Sequence, residues 1–582
     1  MRGLKTLLIE LALLFIITIP SFLSLLNNAY FTMHDDQHVV RLYLLDQGIK
    51  QADIYPRWVD ELGFGFGYPL YNFYPPFIYY LAELFHLLGF SYIWSIKLLI
   101  MAGFFLASIG IFYLMKRFIG RAAGFLSAAL YTFFFYHSIT VYVRGALAEF
   151  FSFSILPFLF LTIDRLNERP TFKNGILFGI LFAVLILIHP LIAFPMLIFF
   201  PFFFIFYTLI MEKNTSYGRG KFLLFSGIGL VFALSLSSFF WLPSVVEKNY
   251  TLTNTILTGE LADYKLHYIY PEQFIYSPWG YGGSTQGPYD GLTFQLGKIH
   301  LFSLLVGIVL LVLYFYKKKR IDFDTKRYLL FVFLLLFSLF MTTQFSGFVW
   351  SSVSYLSYLQ FPWRFLTFAG LFLSIVGGYV LFFSDRILQY YAPVDWYQGL
   401  KRKAVLYCLS FLLIAALIFI YGKYFRPQKF ITMSDKERTS FEEVAWRISR
   451  TSYEFIPKGV KTKKTELGTT ILDIDKSDLP KSPYKNTFRE KVFKISSIEP
   501  FVFRLNTYNF PGWKASLSSR RLEINDANDF NLITVNIPAG NNTLRFNFED
   551  TNIRKLGNAV SLITFIILLY FLLPAKFKKI RS

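Results

Sequence analysis

Pro75-Pro-Phe-Ile-Tyr-Tyr-Leu-Ala-Glu-Leu-Phe-His-Leu-Leu88 is the stretch on which the topology turns. It is apolar enough for a membrane but too short to cross one, because a helix needs roughly 17 to 25 apolar residues to span the hydrocarbon. Counted as a crossing, it inverts every loop that follows. Read as an interfacial or re-entrant helix, it leaves them as they are. The charges of those loops decide between the two readings.

Outward from this segment the chain reads as twelve spans, near 6–26, 91–115, 122–141, 146–164, 174–189, 191–210, 221–241, 298–316, 328–345, 363–384, 403–421 and 557–575. The run at 174–210 is too long for one helix, and His189-Pro190 divides it, since proline removes a helical hydrogen bond and clashes with the preceding turn. With the N-terminus inside, the cytoplasmic loops hold Lys116, Arg117 and Arg121; Arg165, Arg169 and Lys173; Lys213, Arg219 and Lys221; Lys317 to Arg320 with Lys326 and Arg327; Arg386 with Lys401 to Lys403; and Lys576 to Arg581. The short loops of the other side are nearly free of Lys and Arg. Positive charge is retained in the cytoplasm, so this distribution favours a short helix at 75–88 that does not cross. Both termini are then expected in the cytoplasm of a multi-pass cell-membrane protein, with the first apolar run a retained signal anchor.

Composition agrees. Of 582 residues, 54% are hydrophobic and 20% aromatic, and only 16% are charged, well below the quarter usual in soluble globules. The net charge of +21 comes from short loops between apolar runs, so it reads as a topology signal and not as a nucleic-acid surface. A single cysteine, Cys408, excludes an intrachain disulfide framework and a Cys-rich metal site.

The expected fold is therefore an α-helical polytopic membrane protein of about twelve spans, with a small extracytoplasmic β-sandwich-like domain near the C-terminus. Residues 1–421 form the transmembrane domain with outer loops 27–90 and 242–297, 422–556 the β domain, and 557–582 a last span with a basic cytoplasmic tail. The β domain is read from Phe501-Val-Phe-Arg-Leu-Asn-Thr-Tyr508, Leu532-Ile-Thr-Val-Asn-Ile537 and Leu544-Arg-Phe-Asn-Phe548, which alternate with the period of half-buried strands. Turn residues at Pro511-Gly512 and Pro538-Ala-Gly-Asn-Asn542 separate them.

The ionisable chemistry gathers at the expected outer face. Thr32-Met-His-Asp-Asp-Gln-His38 puts His34, Asp35, Asp36 and His38 just after the first span. Tyr55 and Arg57 share that loop, Arg144 and Glu149 occupy the next outer hairpin, His189 the one after, and Arg364 begins a later span from outside. Such a set suits a lipid-linked anionic donor. A guanidinium fork matches phosphate oxygens, so Arg57, Arg144 or Arg364 could hold the phosphate. Asp35 or Asp36 could take the proton of an attacking hydroxyl. A divalent metal on Asp35, Asp36 and His38 is the one cofactor these residues allow, on a spacing too unspecific to require it.

Each residue also has a structural reading. The aspartates could cap a helix starting near Gln37. Arg144 and Glu149 could be a structural pair, His189 could satisfy a carbonyl freed by Pro190, Arg57 could stack on Trp58, and Arg364 could be a snorkelling anchor.

Taken together, Asp35-Asp36, Tyr55-Pro-Arg-Trp58, the glycine and aromatic run Gly63 to Pro76, Tyr142-Val-Arg-Gly-Ala-Leu-Ala-Glu149, Gln360-Phe-Pro-Trp-Arg-Phe365, Asn509-Phe-Pro-Gly-Trp513 and Ile537-Pro-Ala-Gly540 resemble polytopic bacterial membrane proteins labelled 6-pyruvoyl-tetrahydropterin-synthase-related, and the neighbouring YfhO-like proteins. The resemblance implies the GT-C glycosyltransferase superfamily, with a polyprenyl-phosphate sugar donor, an extracytoplasmic active site and an acidic motif in the first outer loop, here Asp35 and Asp36. The acceptor would be a cell-envelope polymer, a glycolipid or a protein. A lipid or glycolipid transporter and a non-catalytic envelope assembly factor are the alternatives. A transporter should carry polar groups deep in broken mid-spans, whereas the charges here sit at outer helix ends.

Overall fold

The computed structural model describes residues 2–210, 219–259, 262–391, 400–461 and 483–572. Lys213 and the tail from Lys576 to Arg581 lie outside them. Among the described residues, ten helices are long and apolar enough to cross a membrane, and eleven if the bent pair Arg121–Thr132 and Phe135–Val143 is one span, where twelve were expected. Phe172–Ile188 is apolar but shorter. Each expected span thus has a helix, and Phe77–Leu87 is a short apolar helix of 11 residues. The polytopic helical fold with a β region near the C-terminus is what the hydropathy predicts.

The chain divides into two compact units, Met1–Asp35, Lys97–Ala233 and Glu260–Thr432 in one, Asp36–Ile96, Leu234–Gly259 and Met433–Ser582 in the other. The boundary falls in the peptide bond joining the two aspartates.

In the first unit the span Pro362–Tyr390 is almost wholly buried, packed by Lys298–Lys318, Phe323–Thr342 and Arg121–Thr132. Small residues allow the close contacts: a Cβ on Gly175 would lie 2.6 Å from the Phe225 carbonyl oxygen, and one on Gly229 would lie 2.5 Å from that of Gly175. Lipid supplies no hydrophobic force between helices, so such close packing is what holds spans together. His189 is extended, with φ −156°, and separates Phe172–Ile188 from Pro190–Ile205 as the proline predicts. Strand β1 (Tyr30–Phe31) pairs antiparallel with β2 (Phe430–Ile431) and ties the first segment of the unit to its last.

The second unit holds a sandwich built from β3 (Lys485–Asn486), β4 (Glu490–Ser497), β5 (Phe501–Tyr508), β6 (Trp513–Leu517), β7 (Arg520–Leu522), β8 (Leu532–Ile537) and β9 (Gly540–Phe548). One sheet runs β3-β4-β9-β6-β7 and the other β5-β8, all antiparallel. The sheets meet through Phe493 and Phe546 on one side and Phe503 on the other, with ring centroids 5.0 and 5.8 Å apart. Trp58 is buried against Phe510, Trp513 and Phe548, so the glycine and aromatic run of the first loop folds onto the sandwich. Gly67 lies so close to that indole that a Cβ would sit 2.2 Å from it. Nearby, the Ser238 hydroxyl donates to the Gly557 carbonyl at 2.9 Å and fixes Ser238–Glu247 against the last span, Asn552–Leu572.

Candidate functional site

The site in the first unit begins with a helix defect. The span starting at Arg121 breaks by 47° at Phe133-Phe134, resumes, and ends in a π turn over Ile139–Val143. Arg144 N–H accordingly donates to the Ile139 carbonyl at 2.8 Å, and Gly145 turns the chain at φ +69° into Leu147–Glu168. This hairpin brings Arg144 to Glu149. The guanidinium Nη1 donates to Glu149 Oε2 at 3.0 Å and to the Tyr136 hydroxyl at 3.1 Å, while that hydroxyl donates to Glu149 Oε1. A second guanidinium arrives from Pro362–Phe365: Arg364 Nε lies 3.5 Å from Glu149 Oε2, and its Nη1 donates to the Leu359 carbonyl at 2.8 Å. Trp363 lies beside Arg144, 4.4 Å from guanidinium carbon to ring centre.

All three charged groups are buried, Glu149 at 0% exposure, Arg144 at 6% and Arg364 at 8%. Two cations therefore share one carboxylate. Buried charge is tolerated only when paired; among the buried groups the guanidiniums outnumber the carboxylate two to one, and the other anion whose charge reaches both is the exposed Asp35. Donors are left over too. Arg364 Nε and Trp363 Nε1 are buried without a hydrogen bond, and so is His189 Nδ1. His189 lies within electrostatic reach of Glu149, Arg144 and Arg364.

The acidic motif is attached to the same hairpin by its backbone. His34 N–H donates to the Val143 carbonyl at 3.0 Å and Asp35 N–H to the Arg144 carbonyl at 2.8 Å. Gly145 holds a φ of +69° that L side chains rarely adopt, and its missing Cβ also leaves room for the Met33 side chain. The Asp35 side chain is exposed, in no ion pair or hydrogen bond among the described residues, and both Arg144 and Arg364 feel its charge. His34 Nε2 is 2.8 Å from the Tyr281 carbonyl, which links the motif to the Tyr/Gly loop.

Asp36 belongs to the second unit and has different surroundings. It pairs with Arg438 and, at 3.3 Å, with Arg447, and both arginines also bind Glu443. Arg438 is set by a capping box, in which Ser434 and Glu437 satisfy each other's backbone N–H at the start of Asp435–Arg438. The helix His38–Lys50 has Gln37 as its N-cap with no side-chain bond, so neither aspartate caps it. His38 is buried, its Nδ1 3.0 Å from the Tyr79 hydroxyl. Among the described residues no three His, Cys, Asp or Glu side chains are grouped to hold a metal ion, so the set Asp35, Asp36 and His38 is not assembled.

Tyr55 and Arg57 are also in the second unit. Arg57 does not stack on Trp58; it lies over the Tyr55 ring and donates to Asn72 at 3.2 Å, to the Phe239 carbonyl at 2.7 Å and to Asn558 at 3.0 Å, with Asp550 at 3.6 Å. Arg144, Glu149, His189, Arg364 and Asp35 are thus brought together, and Asp36, His38, Tyr55 and Arg57 have separate partners.

No family model matches the chain, and no curated protein is similar to it at a significant level. Among the solved structures that match is the cryo-EM structure of the arabinofuranosyltransferase AftD from mycobacteria, 12% identical, with a TM-score of 0.42 over 73% of this chain and 27% of that one. The chain spans about a quarter of that enzyme's length.

Tyr136, Trp363, Arg438, Glu443 and Arg447 did not stand out in the sequence. Tyr136 is one of 38 tyrosines, inside an apolar run whose break has no proline or glycine to mark it. Arg438 and Arg447 reach Asp36 from far along the chain, and no local pattern reports such a pairing. Trp363 was readable only as a neighbour of Arg364.

Proposed function

We propose that the protein is a membrane glycosyltransferase of the GT-C type, moving a sugar from a polyprenyl phosphate to an extracytoplasmic glycan, glycolipid or protein. The observation that carries this reading is the unequal pairing at Glu149: two buried guanidiniums on one carboxylate, beside an exposed and unpaired Asp35. An anionic donor would give the buried guanidiniums the second partner that Glu149 alone does not supply, leaving Asp35 for the acceptor. In the reaction the acceptor oxygen attacks the anomeric carbon and gives its proton to Asp35. The bond from that carbon to the phosphate oxygen breaks, and the electron pair leaves on the phosphate, where Arg144 and Arg364 offset the added charge. Glu149 and Tyr136 hold Arg144 in place, and His34 and His189 flank the site as substrate contacts. Asp36 is a positioning residue, its carboxylate already matched by Arg438 and Arg447. Tyr55 and Arg57 are framework, because the Arg57 donors are already used within the second unit. The loop charges support an extracytoplasmic Asp35.

The test uses purified full-length protein with polyprenyl-phosphate sugars, reading transfer or donor hydrolysis. Asp35→Asn should abolish turnover while leaving the thermal midpoint near wild type, and Asp36→Asn should retain chemistry at the cost of stability. Full activity in Asp35→Asn overturns the assignment. Sidedness is read separately: in a Cys408→Ser background, Asp35→Cys should react with an impermeant thiol reagent on intact cells, and protection until lysis would reverse the orientation.

A further inference from the structure

We infer that the sandwich carries a saccharide-binding cleft at the β6–β7 hairpin, selective for sugars bearing an anionic group. Pairing of the two strands stops at Ala515–Leu522, and beyond it lies an open cleft of about 390 Å³ lined by Trp513, Lys514, Arg521, Leu522, Glu523 and Ile524. That volume lies within the range of small-ligand sites. The lining has parts that sugar recognition needs: the aliphatic side chains of Leu522 and Ile524 for the apolar face of a ring, charged groups on either side for hydroxyls and an anion, and beneath them Trp513, buried against Trp58 and Phe548.

A charged edge strand has a plainer use, since β7 ends its sheet and charge there discourages edge-to-edge aggregation. Two facts exceed that use. The Trp513 Nε1–H is buried with no hydrogen-bond partner, an expense that a ligand oxygen or a bound water would relieve. Arg521 and Glu523 are exposed and pair with nothing among the described residues, whereas Lys514 is held by Glu549. The cleft is also well anchored. Gly512, at φ +121°, lets the chain turn against the Glu549 carbonyl, which a Cβ would meet at 2.6 Å, and this turn delivers Trp513 to the start of β6. The ligand class is an acidic oligosaccharide, with Arg521 on its carboxylate or phosphate and Glu523 on ring hydroxyls. Its assignment as the acceptor rests on the transferase reading above. Binding itself requires no turnover.

The experiment is calorimetric titration of full-length protein in nanodiscs with trigalacturonate, with neutral galactotriose and with inorganic phosphate. Wild type should bind the acidic trisaccharide about ten-fold more tightly than the neutral one, the size of one charge-assisted contact. Arg521→Gln should erase that preference without changing affinity for galactotriose, and Glu523→Gln should weaken both ligands a few-fold. Both residues are exposed, so unchanged thermal midpoints are expected to show intact folding. Absence of binding by either trisaccharide overturns the cleft, as does unaltered acid preference in Arg521→Gln. Phosphate binding without galactotriose binding would reduce it to an anion site and overturn the saccharide assignment. Wild type that binds the acidic trisaccharide yet transfers no sugar from any polyprenyl-phosphate donor would refute the transferase reading and leave the cleft standing.

Discussion

Two buried arginine–carboxylate clusters in this molecule differ in their accounts. In the second unit, Arg554 donates from Nε to Glu247 at 2.9 Å and from Nη2 to the Pro511 carbonyl at 2.8 Å, and Glu247 also accepts from Asn72 at 2.8 Å and Thr551 at 2.6 Å. Arg57 beside it has Asp550, so two guanidiniums face two carboxylates. In the first unit two guanidiniums face a single buried carboxylate, Glu149, with Asp35 exposed and forming no ion pair, and Arg364 Nε, Trp363 Nε1 and His189 Nδ1 are left without hydrogen bonds. A balanced, satisfied network has nothing to offer a ligand and holds structure. An unbalanced one is costly by itself and is where a ligand would be welcome. The two aspartates repeat the contrast in miniature, Asp36 saturated by arginines and Asp35 bare.

The contrast breaks first, and by the largest margin, if Asp35 is dispensable. Removing a general base costs typically 10²- to 10⁴-fold in turnover, so Asp35→Asn should fall by about that factor in the transfer assay, with little change in melting temperature. Next comes Arg554→Met. It leaves Glu247 buried without its cation, and the expected loss is about 3–5 kcal/mol of stability, read by thermal or denaturant unfolding in detergent. Equal stability in that variant would mean that saturation is no guide to structural role.

Arg364→Gln sharpens the same point with a smaller effect. Glu149 keeps Arg144, so the charges become balanced, and stability should hold or rise slightly. Donor affinity should drop about ten-fold, the order expected for one lost charge-assisted contact to phosphate. A variant that lost stability in step with affinity would place Arg364 with Arg554, as a structural arginine.

How much of this was readable beforehand follows from how local each signal is. Spans are set by hydropathy over a window of residues, so their order came through, with ten or eleven helices of spanning length among the described residues where twelve were expected, and His189-Pro190 marked its own break. The break at Phe133-Phe134 did not, because nothing in Thr132-Phe-Phe-Phe135 is a helix breaker and the bend arises from tertiary packing. Strands β5, β8 and β9 alternate over part of their length, β5 up to the register shift after Leu505, while β4, in Glu490-Lys-Val-Phe-Lys-Ile-Ser-Ser497, buries three residues in a row and carries no clear alternation. Within the candidate site, Arg144, Glu149, His189, Arg364 and Asp35 were each nameable because charge is rare next to a span. Their division into satisfied and unsatisfied groups was not, since Asp36 finds Arg438 only after the chain has folded. Residue type shows where charge lies; only the fold shows which charge is spent.

The smallest effect concerns a third kind of carboxylate, one with no arginine. Burial pushes the Glu61 carboxyl up to about 7; the Tyr43 hydroxyl, donating at 3.2 Å, opposes this, and the Asp60 charge adds to it. A carboxyl whose pKa is higher folded than unfolded binds its proton more tightly in the folded state. Its contribution to stability is therefore full below the unfolded value near 4.5 and is lost as the pH rises through about 7. The loss should be on the order of 1 kcal/mol once solvent screening at a partly exposed position is allowed for. Between pH 5 and pH 7.5 the unfolding midpoint of the wild type should fall, and Glu61→Gln should flatten that slope without lowering the midpoint at pH 7.5. An unchanged slope in Glu61→Gln would mean that Glu61 is ionised throughout the range. The rule drawn from Glu247 and Glu149, that a buried carboxylate is read by the cations it can count on, would then need another term for a carboxylate stabilised by a tyrosine alone.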